Sequence, residues 1–228
     1  AVSRPQVIRK EIDGEMKEPY EQLTCDVEEQ HQGSVMEALG VRKGDLQDMV
    51  PDGKGRIRLD YIVPARGLIG FQMDFMSMTS GSGLMTHVFD HYGPIKAGTE
   101  KIGQRRNGAM ISMVTGKIAG YSLFTLQERG KLFVSHGNDC YEGMVLGIHS
   151  RDNDLVVNPI KGKQLTNVRA SGTDENIVLT TPINCTLEYA LGFIDDDELV
   201  EVTPINVRVR KRHLTENERK RAKSANKS

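Results

Sequence analysis

The sequence predicts an α+β chain in two parts: a β-α-β-β-α-β unit, then a strand-rich α/β region that ends in a basic helix. Three observations predict it. Residues 5–93 alternate period-2 and period-3.6 apolar patterns in that order. Residues 94–228 hold several short β-branched runs and only short helical stretches. The 228 residues, 38% hydrophobic and 27% charged, are enough for one large or two small domains and too apolar for disorder throughout.

The first part begins with a short extended run, Pro5 to Ile12, and a turn at Asp13-Gly14. From Glu21 to Glu29, Leu23, Cys25 and Val27 alternate with polar neighbours, which predicts a half-buried strand with Cys25 in the core. A helix follows over 31–42, with Val35, Met36 and Leu39 on one face and Gly40 as its stop. Asp52-Gly53-Lys54-Gly55 joins two strand-like runs, 44–50 and 56–63. Pro64 opens a second helix, in which Leu68, Phe71, Phe75 and Met78 recur at helical spacing until Ser80-Gly81-Ser82-Gly83. A strand over 84–89 closes the unit. This order is that of a ferredoxin-like domain, expected to end at Gly93.

In the second part, strands are expected over 109–115, 131–135, 144–149 and 155–158. Helices are expected over 121–129 and 186–193. Ile205, Val207 and Val209 alternate with Asn206, Arg208 and Arg210, a further period-2 strand. Thr215-Glu216-Asn217-Glu218 is a capping box that opens the last helix. The stretch 161–176 has no clear period and reads as a long loop, which in a compact domain is often functional.

Charge is unevenly placed. The whole chain is net −1, yet residues 1–93 are net −5 and residues 205–228 carry nine basic against two acidic groups. Such a basic end suits phosphate contact or a solvated helix. The acids Asp195-Asp196-Asp197-Glu198 precede it; they read as a solvated helix end or as partners of the basic tail. Three widely spaced cysteines, Cys25, Cys140 and Cys185, suit a reducing compartment, and a cytoplasmic location is expected. No uncharged apolar run approaches the ~18 residues of a membrane helix. Neither a signal peptide nor an initiator Met is present, so the sequence reads as part of a longer protein.

Several chemistries find no support. None of the four Gly-Lys pairs lies in a phosphate-binding loop of the form G-x-x-x-x-G-K-[ST], so no nucleotide is expected here by that route. No C-x-x-C, H-E-x-x-H or G-x-S-x-G occurs. His87 and His91 are better read as packed or surface histidines than as metal ligands. No catalytic residue and no metal ligand is assigned. Lys161, Lys163, Thr166, Asn167, Arg169, Ser171 and Gly172 remain as a basic, hydroxyl-rich segment that could meet RNA phosphates and 2′-hydroxyls. A polar surface loop is the alternative.

Val27-Glu28-Glu29-Gln30-His31-Gln32-Gly33-Ser34-Val35, Pro64-Ala65-Arg66-Gly67-Leu68-Ile69-Gly70-Phe71 and Phe89-Asp90-His91-Tyr92 resemble domain V of elongation factor G. Gln127-Glu128-Arg129-Gly130-Lys131-Leu132-Phe133, Gly147-Ile148-His149-Ser150-Arg151 and Leu165 to Glu175 resemble the C-terminal domain of the BipA/TypA family of ribosome-associated GTPases. The GTPase domain of that family is absent, so the resemblance places GTP and Mg²⁺ outside this chain and implies no enzyme within it. It implies a ribosome-docking module, with 23S rRNA and the A-site tRNA acceptor arm as partners and no membrane or DNA partner. It also implies roles in 50S assembly and in adaptation to cold and stress. The RNA-contacting residues implied are those of the loop above, with Arg208, Arg210, Lys211 and Arg212 from the basic end. A metabolite-binding regulatory module, motivated by Gly53, Gly55, Gly81 and Gly83, is a second reading. An enzyme using Asp195 to Glu198 with a histidine is a third.

Overall fold

A computed structural model of the chain describes residues 1–96, 105–162 and 177–225. The chain forms two compact units: Pro5–Gln104 with Leu191–Phe193, and Ala1–Arg4 with Arg105–Ala190 and Ile194–Ser228.

In the first unit, strands β2 (Glu15–Glu28), β3 (Asp45–Pro51), β4 (Arg56–Pro64) and β5 (Leu84–Pro94) alternate with helices α1 (Gln32–Val41), α2 (Ala65–Leu68) and α3 (Phe71–Met78). The strands lie in the order β5-β2-β4-β3, all pairs antiparallel. This is the expected split βαβ arrangement. Pairing puts Leu23 opposite Tyr61, Cys25 opposite Leu59 and Val27 opposite Ile57. These residues are buried with Val35 and Leu39 of α1 and Phe71 and Phe75 of α3. The alternating apolar positions of β2 thus meet the apolar faces of two helices. Cys25 is fully buried, and burial pushes its thiol up to about 12.

Several boundaries differ from the sequence reading. Of the run 5–12, only β1 (Lys10–Ile12) pairs, with the start of β2. Helix α1 passes Gly40, and the left-handed residue that ends it is Lys43, at φ 62°. The helix expected from Pro64 is two helices, because Gly70 breaks it at φ 72°. Strand β5 runs on to Pro94, which pairs with Lys17 across a bulge at Tyr20/Glu21. Lys96 still belongs here: its backbone N–H donates to Glu18 at 3.3 Å. The first unit therefore continues past Gly93. The turn at 52–55 is as read. Asp52 Oδ1 accepts from the N–H groups of Lys54 (2.7 Å) and Arg56 (3.0 Å), while Gly53 and Gly55 take positive φ.

The second unit is built on a four-stranded sheet in the order β11-β6-β10-β8, with β6 (Ala109–Ser112), β8 (Gly130–Leu132), β10 (Val145–His149) and β11 (Leu155–Val157). The β11–β6 pair is parallel; the other two pairs are antiparallel. Its core joins Met110, Leu132 and Leu146 of the sheet to Leu123 and Leu126 of α4 (Gly120–Leu126). Gly130 is required where β8 meets β10, since a Cβ there would lie 1.8 Å from the Ile148 carbonyl oxygen. Two small pairs were not foreseen in full: β7 (Gly116–Lys117) with β9 (Asp139–Cys140), and β12 (Glu198–Val202) with β13 (Val207–Lys211). Val2 bridges to Val200 by two backbone hydrogen bonds of 2.7 and 2.8 Å.

Helix α5 (Leu187–Phe193) starts at Thr186, whose hydroxyl accepts from the Tyr189 N–H. Helix α6 (Glu216–Ala225) starts with the expected capping box. The Thr215 N–H donates to Glu218 Oε2 at 3.1 Å, and the Glu218 N–H donates to Thr215 Oγ1 at 3.3 Å. No described helix is long and apolar enough to cross a membrane.

Candidate nucleic-acid interface

Strand β13 carries the basic end into the fold. Its period-2 pattern puts Val207, Val209 and Lys211 on one face and Arg208 and Arg210 on the other. Val209 and Lys211 are buried, at 1% and 2% exposure. Arg208 stands opposite Glu201 of β12, and Arg210 Nε lies 3.5 Å from Glu201 Oε1. Tyr141 Oη donates to Glu201 Oε2 at 2.5 Å; burial, then that bond, raises its pKa.

The burial of Lys211 corrects its assignment to the RNA-contacting set. Its ammonium lies 2.7 Å from Asp154 Oδ2, 3.0 Å from Asp197 Oδ1 and 2.9 Å from Glu198 Oε1. Arg105 binds Glu198 with a two-pronged grip, Nη1 to Oε2 at 2.7 Å and Nη2 to Oε1 at 2.9 Å. Glu198 also accepts from the Asp195 N–H at 3.0 Å, and Asp154 from the Ala109 N–H at 2.9 Å. Burial works against charge on Lys211, but the three carboxylates outweigh it and raise its pKa. Burial likewise opposes charge on Glu198, and the Arg105 hydrogen bonds outweigh it, holding that carboxyl below its ordinary value. A side chain so enclosed cannot reach a phosphate.

Asp197 and Glu198 of the acid block thus partner the basic end through Lys211, one of the two expected readings, whereas Asp195 and Asp196 face Arg4. Arg4 extends the network, with Nη1 3.2 Å from Asp196 Oδ1. Arg105 and Asp154, which complete the cluster, were missed because lone charges in sequence carry no pairing signal. Lys211 had one: it continues the spacing of Val207 and Val209.

The other expected residues are distributed as follows. Lys161 is exposed, and its carbonyl accepts from Ser122 Oγ at 2.8 Å. Lys163, Thr166, Asn167, Arg169, Ser171 and Gly172 lie outside the described residues. Arg212 is exposed, and its backbone N–H donates to the Asp197 carbonyl at 2.8 Å. Together with Asp196, Asp197, His213, Arg219, Ala222 and Ala225 it lines a cleft of about 560 Å³ beside α6. His87 and His91 each face a carboxylate, Glu21 and Asp90 respectively. Among the described residues no cluster of His, Cys, Asp and Glu could hold a metal ion.

An antiparallel α+β unit is thus followed by a strand-rich unit with a basic helix, and the class of the chain follows from the profiles that each of these units matches, both of them C-terminal domains of elongation-factor-G-like proteins. Residues 15–102 match the profile of the elongation factor G C-terminus, and residues 107–216 match that of the TypA/BipA C-terminal domain. The chain belongs to the TypA/BipA family. It is 64% identical over 225 residues to the large ribosomal subunit assembly factor BipA of Escherichia coli K12, covering 99% of this chain and 37% of that protein. It is 65% identical to the Haemophilus influenzae protein of the same name, over 97% of this chain and 36% of the relative. The Buchnera aphidicola relative is 59% identical over 100% of this chain and 37% of its own length. The chain thus spans little more than a third of these relatives, and both profiles it matches are C-terminal ones.

Proposed function

We propose that this chain is the ribosome-docking, RNA-contacting C-terminal portion of a translational GTPase that serves large-subunit assembly and adaptation to cold and stress. The observation that carries this is the end-to-end similarity to proteins named large ribosomal subunit assembly factors. In this reading GTP and Mg²⁺ belong to a domain outside this sequence, and the chain supplies affinity and placement. The contacts are with 23S rRNA and the acceptor arm of A-site tRNA. Lys161, Lys163 and Arg169 neutralise phosphates, Thr166, Asn167 and Ser171 reach sugar hydroxyls, and Gly172 allows close backbone approach. Arg208, Arg210 and Arg212 add a less specific contact; Lys211 holds the strand that carries them.

The test is sedimentation of the chain with 70S ribosomes across a salt series, beside a Lys161→Ala/Lys163→Ala/Arg169→Ala variant. Binding that falls with salt and is lost in the variant supports the loop contact. Binding unchanged in the variant moves the contact to the first unit or to the basic end. No binding by the wild-type chain even at low salt defeats the docking reading for this portion.

A further inference from the structure

We propose that the cleft lined by Arg212, His213 and Arg219 is a phosphate site, and that its occupant is a backbone phosphate of an RNA strand. The proposal adds a defined pocket to the docking reading and rests on that reading only for the source of the phosphate.

Two aspartates line the cleft wall, and each faces a cation that it shares with other carboxylates. Asp196 Oδ1 lies 3.2 Å from Arg4 Nη1, and both Asp197 oxygens lie 3.0 Å from Lys211 Nζ. Arg4 and Lys211 have side chains only 12% and 2% exposed, so these partners are fixed. The three basic residues of the cleft make no such pairs among the described residues. Among the described residues Arg212 is bonded through its backbone alone. Arg219 Nη1 donates to the carbonyls of His213 (3.3 Å) and Leu214, which orients the guanidinium against the 213–214 turn. Its Nη2 is buried without a hydrogen-bond partner among the described residues. A buried donor left unmade is costly, and an incoming oxyanion could relieve it after a small side-chain shift.

The cleft therefore offers two guanidinium groups and an imidazole, beside two aspartates that face Arg4 and Lys211. Guanidinium groups match phosphate oxygens in geometry as well as charge. Exposed Arg221 of α6 extends the basic surface beyond the cleft, while Lys220 beside it pairs with Glu216 at 2.6 Å. Ala222 and Ala225 complete the cleft lining.

The test uses the 228-residue chain and a short, end-labelled single-stranded RNA, read by fluorescence anisotropy. Arg212→Ala is compared with Lys117→Ala, which removes the same charge from an exposed strand outside the cleft. Arg212→Ala is expected to weaken binding roughly tenfold, the loss of a charge-assisted hydrogen bond, and Lys117→Ala less than about twofold. Sodium phosphate should displace RNA from the wild type more strongly than sodium chloride of equal ionic strength, and this excess should vanish in Arg212→Ala. Equal losses in the two variants, or phosphate no better than chloride, overturns the proposal. Phosphate protection against thermal unfolding that needs Arg212, with RNA affinity unaffected by its loss, would overturn the RNA occupant in favour of a free phosphate ligand. Ribosome sedimentation keeps the two readings apart: binding retained by Arg212→Ala beside a failed phosphate test removes the cleft alone. Sedimentation lost in the wild type with the phosphate effect intact removes the docking reading alone.

Discussion

Lys211 meets three carboxylates, those of Asp154, Asp197 and Glu198, while Arg105 takes the remaining face of Glu198. Removing Lys211 takes a cation from fully buried Glu198 and from Asp154 and leaves Arg105 to serve both; breaking a buried pair commonly costs about 3–5 kcal/mol. Lys211→Ala should therefore lower the midpoint of urea unfolding strongly, whereas Arg212→Ala, one residue on but exposed, should change stability by less than about 0.5 kcal/mol. The pH response has a fixed sign. Glu198 and Asp154 are held below their ordinary values of 4.5 and 3.8. Their contribution is complete above those values and is lost as pH falls through the lower folded-state ones. Asp195, raised by burial, acts in the opposite direction and only in part offsets this. Urea unfolding followed at neutral pH and at successively lower pH should show stability falling below about pH 4.5; Glu198→Gln should flatten that fall. A rise in stability on acidification would contradict the cluster. Sequence legibility ran out at this scale: Cys25 was readable as core from its strand, but the ion cluster joins positions 105, 154, 197, 198 and 211, and no local pattern links them.

Elements were more legible, because periodicity and caps are local. The alternation of Leu23, Cys25 and Val27, the Asp52 turn and the capping box before α6 all stand where the residues place them, although β2 itself begins earlier, at Glu15. The failures are local too. Gly40 signals a stop in sequence, yet the chain turns left-handed at Lys43. The recurrence of Leu68, Phe71, Phe75 and Met78 is compatible with one helix, and the pattern cannot register a single left-handed Gly70 within it. Strands of two residues, such as β7 and β9, are too short to carry a period at all. The capping box gives the prediction at this scale. Thr215→Ala removes one of its two hydrogen bonds and should cost about 1 kcal/mol. Amide exchange should quicken in α6 and little elsewhere; unchanged protection across Glu216–Ala225 would mean that tertiary contacts, not the cap, hold the helix.

At the scale of the molecule, each unit has its own apolar cluster, one around Leu59 and one around Leu146. Leu59→Ala and Leu146→Ala should each cost about 2–5 kcal/mol. Amide exchange should report the first loss in residues 10–94 and the second in 109–157; the same pattern for both would mean that the clusters open as one. The course of the chain was only half legible. Two units could be counted from the change in pattern, but nothing in Ala1-Val2-Ser3-Arg4 announces that these residues fold with a partner almost two hundred positions away. Residues 1–4 group with residues 105–190 and 194–228, and residues 5–104 with residues 191–193, so the two units interleave along the sequence. A piece cut at residue 105 would thus lose the backbone partner of Val200 and the cation facing Asp196, and would display a bare strand margin. Such a piece should self-associate on isolation, and a synthetic peptide carrying the first residues of the chain should return it to the monomer.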